Sequence, residues 1–180
     1  MKNNVYCLII ILFAFLNNSF KNPIVVDIYH LSENSFKVLI IKSEYALKLY
    51  DEAGDWIATY PVVFGNKDLG DKMMQGDKKT PEGIFHIVAK RKHEKWNRFI
   101  LIDYPTVDSY NKFRKRKADG LIPADAKIGG DIGIHGTWPH EDYAIDQYRN
   151  WTEGCVSTKN DYVQELFNLL PVGTTVEIRY

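Results

Sequence analysis

A cysteine follows a glycine in the segment Trp151 to Val156, which reads WTEGCV. A thiolate is a strong nucleophile, and Gly154 removes side-chain bulk beside the sulfur of Cys155. The backbone N–H groups of Gly154 and Cys155 are expected to face a developing oxyanion. A helix predicted to begin shortly after Cys155 would favour the thiolate through its N-terminal dipole. The segment therefore predicts a nucleophilic cysteine, with a buried inert cysteine as the alternative.

A histidine ends a short apolar stretch upstream, in the segment Gly133 to Thr137, which reads GIHGT. The imidazole of His135 can act as the general base for Cys155 if the fold brings the two residues together. A hydrogen-bonded structural histidine is the alternative. A polar and aromatic loop joins the two segments, and such a loop can place both ends at one cleft.

The remaining histidines are weaker candidates because they lie in strand patterns or in polar and charged loops: His30, His86, His93 and His140. A zinc site built from His135, His140 and Cys155 lacks the paired HExxH or CxxC spacing of strong zinc motifs. The sequence therefore predicts neither a metal nor another cofactor.

The first twenty residues have the pattern of an export signal. One lysine is followed by twelve uncharged apolar residues, Val5 to Leu16, and then by a polar break. Such a run rises only about 18 Å as a helix, short of a hydrocarbon core of about 30 Å. We predict a signal peptide over residues 1–20 and a periplasmic or cell-envelope protein. No A-x-A-like triplet precedes a cleavage site, so an uncleaved anchor stays open.

Export changes the meaning of the two cysteines. Cys7 lies inside the apolar run and would be removed with the signal, which leaves Cys155 alone. A lone cysteine cannot form an internal disulfide and is a free, reactive thiol in an exported protein.

Composition describes an ordinary globular domain, expected over residues 24–180. Charged residues make up 26% of the 180-residue chain, apolar ones 45%, and the formal net charge is zero. This balance argues against nucleic acid as a partner and against strong membrane binding after signal removal. The basic run Lys112 to Lys117 is interpreted as a solvated helix face.

The spacing of apolar residues predicts a mostly β domain with one or two helices. Three strands at short intervals are typical of an antiparallel meander, and helical periodicity ends in Pro171. The strands are expected at Ile24–Tyr29, Phe36–Lys42, Tyr45–Tyr50, Trp56–Phe64, Gly83–Ala89, Arg98–Tyr104, Asp131–His135 and Thr174–Ile178, and the helices at Thr106–Lys117 and Asn160–Leu170.

Three motifs in one order resemble the catalytic region of YkuD-type L,D-transpeptidases. They are His135-Gly136-Thr137, then Thr152-Glu153-Gly154-Cys155-Val156, and upstream Gly76 to Phe85, which reads GDKKTPEGIF and resembles the family's GDxxTPxGxF stretch. The resemblance extends from Ile24 to the C-terminus.

The resemblance implies a YkuD-like β-sandwich with a helix after the cysteine. Cys155 would attack the carbonyl of the third residue of a peptidoglycan stem tetrapeptide, D-Ala would leave, and a thioester would form. An amine from a second stem, or from a wall-attached protein, would resolve it. His135 would be the base. The backbone N–H of Gly154 would stabilise the oxyanion, and the backbone carbonyl of Gly136 would orient the imidazole of His135. Thr152 and Ser157 would contact substrate.

Two departures from the family pattern bear on the reaction. Glu153 stands where many members carry a histidine, and Ser157 stands where many carry arginine or asparagine. These residues resemble the YafK-like branch, which includes an enzyme that detaches proteins from the wall. A hydrolase of stem or stem–protein amides and a non-catalytic wall-binding module are therefore the alternatives to a transpeptidase.

Overall fold

Apolar runs from residue 36 onward form one mixed β-sheet. The computed structural model describes residues 36–180, so the predicted signal and the predicted strand Ile24–Tyr29 lie outside the described residues. The sheet contains eight strands in the order β3-β2-β1-β8-β4-β5-β6-β7. The strands are β1 Lys37–Ile41, β2 Ala46–Tyr50, β3 Trp56–Pro61, β4 Gly83–His93, β5 Asn97–Ile102, β6 Gly133–His135, β7 Val156–Ser157 and β8 Thr175–Arg179.

The first three strands form the predicted antiparallel meander, since β1 pairs with β2 and β2 with β3. The last strand, β8, returns to the middle of the sheet. It runs parallel to β1 and antiparallel to β4. The C-terminal strand therefore joins the meander to the strands that carry the cysteine and the histidine.

Strand β4 is shared by two partners. Its first residues, Gly83–His86, pair with β8, and those from Ile87 onward pair with β5, with a register shift between Ile87 and Ala89. Such an irregularity bends a strand and increases its twist. The second half of β4 and strand β5 form a hairpin whose tip is residues 94–96, and the carbonyl of Trp96 in this tip accepts from the N–H of Gly136 at 3.0 Å.

Three α-helices accompany the sheet: α1 Val107–Ala118, α2 Tyr143–Asp146 and α3 Asn160–Leu169. Helix α1 begins at Thr106, whose hydroxyl accepts from the Ser109 N–H, and it has no buried residue. Helix α3 packs on β5 and β6 and buries Val163 and Leu166 completely. Apolar side chains from all eight strands and from this helix form one core. Strand β3 contributes the buried side chain of Tyr60.

The prediction of a mostly β domain with a helix after the cysteine is confirmed. That helix begins at Asn160, as predicted, but the two-residue strand β7 that separates it from Cys155 was not predicted. The dipole of α3 is thus displaced from the sulfur of Cys155, and its influence fades beyond the first turn. Within residues 36–180, no helix is long and apolar enough to cross a bilayer.

Candidate active site

The pairing of two short strands brings the cysteine and the histidine together. β6 and β7 run parallel, with Ile134 opposite Val156 and His135 opposite Ser157. The same register, continued by one residue, sets Cys155 opposite Gly133. Side chains alternate along a strand, so Cys155 and His135 project from the same face of this pair.

A second strand-like contact holds the other edge of β7. The N–H of Val63 donates to the carbonyl of Ser157 at 2.8 Å, and the Ser157 N–H donates back at 2.9 Å. Trp151 and Thr152 donate to the carbonyl of Phe64, at 2.8 and 3.2 Å. The segment that carries Cys155 is therefore fixed on both sides by backbone hydrogen bonds.

Cys155 and His135 line a common cavity of about 530 Å³. Its walls combine aromatic side chains with one cation and two carboxylates. The lining residues are Arg91, Trp96, Phe99, Gly130, Asp131, Ile132, His135, Trp151, Thr152, Glu153 and Cys155.

The carbonyl oxygen of Gly136 fixes the imidazole of His135. The Nδ1 atom lies 2.7 Å from this oxygen, and the Ser157 hydroxyl donates to the same oxygen at 3.2 Å. A carbonyl can only accept, so Nδ1 carries the proton and the neutral ring holds its free electron pair on Nε2. The ring is therefore set in the tautomer that a general base requires.

Aromatic rings surround the same imidazole. Trp96 stacks on it with 4.6 Å between ring centroids, and Trp151 meets it edge-on at 5.4 Å. His135 is 1% exposed. Burial lowers the pKa of His135 to about 4, against the opposing effect of its hydrogen bond to Gly136. The imidazole is consequently neutral at physiological pH.

The thiol of Cys155 is half-buried and lies 3.5 Å from the carbonyl oxygen of Asp131. Burial raises its pKa to about 11, and the nearby carboxylate of Asp131 adds to that effect. The backbone of Gly133 and the ammonium of Lys72 act in the opposite direction. The resting site therefore pairs a protonated thiol with a neutral imidazole.

A tight turn leads into the cysteine. The hydroxyl of Thr152 donates to the carbonyl of Cys155 at 2.7 Å and accepts from the N–H of Gly154 at 3.2 Å. Gly154 has a φ of +129°, and a Cβ there would lie 2.8 Å from the carbonyl oxygen of Lys79. Glycine is needed here both for its backbone conformation and for close packing.

Two predicted site residues present no free group to the cavity. The side chain of Ser157 is fully buried and outside the cavity lining, and its hydroxyl donates to the Gly136 carbonyl that also holds His135, so its contact with substrate stays a prediction. The N–H of Gly154 is occupied by Thr152, so it is not a free oxyanion donor in this conformation. Thr152 borders the cavity, but its hydroxyl is used within the turn.

The carboxylate of Glu153 forms an ion pair with Lys78 at 2.9 Å, and both side chains are more than half exposed. The carboxylate that disfavours the thiolate is instead that of Asp131. An acidic effect on the thiol is thus present, but it comes from the other side of the cavity.

Sequence reasoning missed three residues at this site: Arg91, Trp96 and Lys72. Arg91 and Trp96 belong to the β4–β5 hairpin, which lies about forty residues before His135 in the chain. The stretch Arg91 to Lys95 reads as a charged surface hairpin, and only its pairing with β6 through β5 brings it over the cavity. No local signal distinguishes these residues from solvated ones.

A metal site is not apparent among residues 36–180, where no group of three or more His, Cys, Asp or Glu side chains converges. His140 lies in the loop before α2 with a φ of +67° and is absent from the cavity lining.

A family model for the YkuD L,D-transpeptidase catalytic domain matches residues 35–178. No functionally curated protein shows significant similarity to the chain. The fold of the described residues is similar to that of several solved structures. The sequence identities of these structures are below 25%, so they support the fold alone.

Pgp2, a helical cell shape determining protein from Campylobacter jejuni, is 24% identical with a TM-score of 0.59, over 82% of this chain and 48% of that one. Bd1075 from Bdellovibrio bacteriovorus is 22% identical with a TM-score of 0.57, over 81% and 48%. An L,D-transpeptidase from Mycobacterium smegmatis is 11% identical with a TM-score of 0.53, over 82% and 59%. The chain thus spans about half the length of these proteins.

Proposed function

Because the chain belongs to the family of YkuD L,D-transpeptidase catalytic domains, we propose that it is a cysteine acyltransferase of peptidoglycan. The donor is a stem tetrapeptide and the acceptor is an amine. The observation that carries the proposal is the His135 imidazole, held by Gly136 in the cavity that also contains Cys155.

Acylation begins with transfer of the thiol proton of Cys155 to Nε2 of His135. The sulfur attacks the carbonyl carbon of the third stem residue and forms a tetrahedral adduct. Collapse of the adduct breaks the peptide bond, and the amine of D-Ala leaves with the proton from His135. A thioester on Cys155 remains.

Deacylation repeats the sequence with a new amine. His135 accepts a proton from the acceptor amine as its nitrogen attacks the thioester carbonyl. Collapse expels the sulfur of Cys155, which recovers the proton from His135. The neutral imidazole suits both half-reactions, because each needs an unprotonated base at the start.

Arg91 is assigned to the substrate's carboxylate. Its guanidinium lies over the ring of Phe99, 5.0 Å from the centroid, and it is the one cation among the cavity-lining residues. Among the described residues, Arg91 has no carboxylate partner within ion-pair distance. Arginine binds carboxylates in bidentate fashion, so Arg91 can take the place of the arginine that the family pattern sets at position 157.

Hydrolysis of the thioester is the second candidate. The carboxylate of Glu153 borders the cavity and is largely exposed, so it can accept a proton from an attacking water. Water would then replace the acceptor amine, and the net reaction would be the cleavage of a stem or stem–protein amide.

The deciding experiment incubates the purified protein with tetrapeptide muropeptides from diaminopimelate-type and lysine-type walls. Release of D-Ala with formation of dimers supports transfer, and release of D-Ala without dimers supports hydrolysis. Cys155→Ala should abolish both. If the wild-type protein binds the muropeptides without product and without a covalent adduct to a carbapenem by intact mass, the site is a non-catalytic wall-binding module.

The proposed site of action is the cell envelope, which the apolar segment Val5–Leu16 supports from the sequence. Fractionation of cells that produce the full chain, with mass measurement of the mature N-terminus, tests export and cleavage together.

A further inference from the structure

A buried ion pair lies directly behind the cysteine segment. Lys72 and Asp77 belong to the loop between β3 and β4, their charged atoms are 2.8 Å apart, and their side chains are 3% and 10% exposed. Burying two charges is costly and is only partly repaid by their attraction. Stability alone therefore does not explain this pair, since two apolar side chains would serve at least as well, and a functional role is expected.

Asp77 organises the loop around itself. Its carboxylate accepts from the backbone N–H groups of Met73, Met74 and Lys79 at 2.7, 3.1 and 3.0 Å. Burial opposes ionisation of Asp77, but the hydrogen bonds from Lys72 and these N–H groups outweigh it and keep its pKa below the ordinary value. Asp77 is therefore a fixed anion that holds Lys72 in place.

The ammonium of Lys72 lies against Gly154. A Cβ built on Gly154 would be 3.6 Å from Nζ of Lys72, and the carbonyl of Lys79 approaches the same point to 2.8 Å. A guanidinium–carbonyl contact from Arg116 to the backbone oxygen of Lys72, at 2.6 Å, fixes the lysine's main chain. Because Gly154 has no side chain, the loop and the ammonium of Lys72 can lie directly against this residue, which precedes the proposed nucleophile Cys155.

We infer that Lys72 is a positioning residue that stabilises negative charge on the sulfur of Cys155. The site otherwise disfavours that charge, because the sulfur is half-buried and Asp131 faces it from the cavity wall. The ammonium of Lys72, which lies against Gly154, counteracts both the burial of the sulfur and the charge of Asp131. A cation close to an ionisable thiol favours its anionic form.

The inference rests on the proposed role of Cys155 as nucleophile, but its test needs no substrate. The rate of alkylation of Cys155 by iodoacetamide reports the thiolate fraction, since only the thiolate reacts. Cys7 is replaced by serine in every protein tested, so that the signal comes from one thiol. Lys72→Met should slow alkylation at pH 8.5 by about tenfold, which corresponds to one pH unit. Lys72→Arg should restore most of the rate.

Lys42 supplies a matched control. It is also a buried lysine, 1% exposed, that binds the same loop through the carbonyls of Gly70 and Thr80 and through Glu82. It does not line the cavity. Lys42→Met should destabilise the fold to a similar degree and leave the alkylation rate of Cys155 within twofold of the wild-type value.

Two results with the lysine variants would overturn the inference. One is a folded Lys72→Met protein that is alkylated at the wild-type rate, and the other is an equal loss of rate in Lys42→Met. If Lys72→Met does not fold, Asp77→Asn decides, because it leaves the ammonium without its counterion and should speed alkylation several-fold. An unchanged rate in that variant would also overturn the inference. Failure of the muropeptide assay alone would leave the alkylation result interpretable.

Discussion

The Nδ1 atom of His135 lies 2.7 Å from the carbonyl oxygen of Gly136, the residue that follows it in the chain. One short turn therefore sets both the tautomer and the direction of the imidazole, with no carboxylate partner among residues 36–180. The hydroxyl of Ser157 reaches the same oxygen from the neighbouring strand. The base of this site is thus oriented by backbone and by a neutral side chain, which leaves it uncharged until it accepts a proton.

The buried imidazole should make the fold sensitive to mild acid. The pKa of His135 is about 4 in the folded protein, against an ordinary value of 6.5, so the unfolded chain binds a proton more readily. Stability is present above pH 6.5 and is lost as the pH falls towards 4. Between pH 7.5 and 5, His135 should account for a loss of about 2 kcal/mol in the free energy of unfolding.

Urea unfolding at both pH values measures this loss. His135→Asn keeps a hydrogen-bond donor near Gly136 but does not titrate in this range, so its stability should change by about 2 kcal/mol less over the same interval. Equal losses in the two proteins would show that other groups, such as His93, whose pKa burial also lowers, cause the acid sensitivity.

Ser157→Ala should impair the base more than the fold. The variant removes one of two hydrogen bonds to the carbonyl of Gly136, at a cost of about 1 kcal/mol in stability. We expect kcat to fall about three- to tenfold at an unchanged KM, because Ser157 is fully buried and does not line the cavity. Steady-state kinetics on a tetrapeptide donor measures the split.

Thr158→Val is the matched control for Ser157. Its side chain is also fully buried, and its hydroxyl donates to the carbonyl of Pro61 at 2.8 Å and not to that of Gly136; valine keeps the backbone N–H that donates to the carbonyl of His135. It should cost a similar free energy of unfolding and leave kcat unchanged. A comparable fall in kcat for both variants would mean that general loosening of β7, and not His135, explains the effect.

Gly154→Ala should be strongly destabilising. The φ of +129° strains any other residue, and the new Cβ would press on the carbonyl of Lys79. We expect a loss of about 2–5 kcal/mol, the sum of backbone strain and overpacking. Thermal unfolding followed by circular dichroism measures the change.

Gly76→Ala separates the two contributions to that loss. Gly76 has a φ of +84°, but a Cβ there would meet no atom within 4 Å. Its substitution should cost only about 1–2 kcal/mol, the backbone part alone. If the two variants lost the same free energy of unfolding, the close packing of the loop on Gly154 would make no contribution to stability.

Arg91→Ala should weaken the binding of substrates that end in a carboxylate. The guanidinium over Phe99 is the cation of the cavity wall, and a lost charge-assisted hydrogen bond costs about 1.5–3 kcal/mol. The KM for a tetrapeptide donor should therefore rise at least about tenfold. The same donor with a C-terminal carboxamide should show almost no difference between wild type and variant.

Lys92→Ala provides the comparison for Arg91, since it is the next residue of the same strand, exposed and outside the cavity lining. Its KM should match that of the wild type for both donors. A rise in KM for the carboxamide as large as that for the acid would remove the assigned role of Arg91.

The sequence by itself predicted seven of the eight strands, helices α1 and α3, and Cys155 and His135 as the candidate nucleophile and base; it did not predict β7 or α2. Period-two and continuous apolar runs identified the strands, and a 3.6-residue period identified α3, because these patterns are local consequences of backbone geometry. The Gly-Cys and His-Gly pairs were visible for the same reason. Each pair consists of a reactive residue type and a glycine directly beside it in the chain, so it can be recognised from two adjacent residues.

Only the tertiary structure decided what surrounds these two residues. Lys72, Arg91 and Trp96 reach the site from loops and a hairpin distant in the chain, and nothing in their local sequence separates them from surface residues. The surroundings of Ser157 also depend on strand register, since its pairing with His135 places its buried hydroxyl at the carbonyl of Gly136. Burial and long-range charge set the protonation of Cys155 and His135, and both arise only when separate segments pack together.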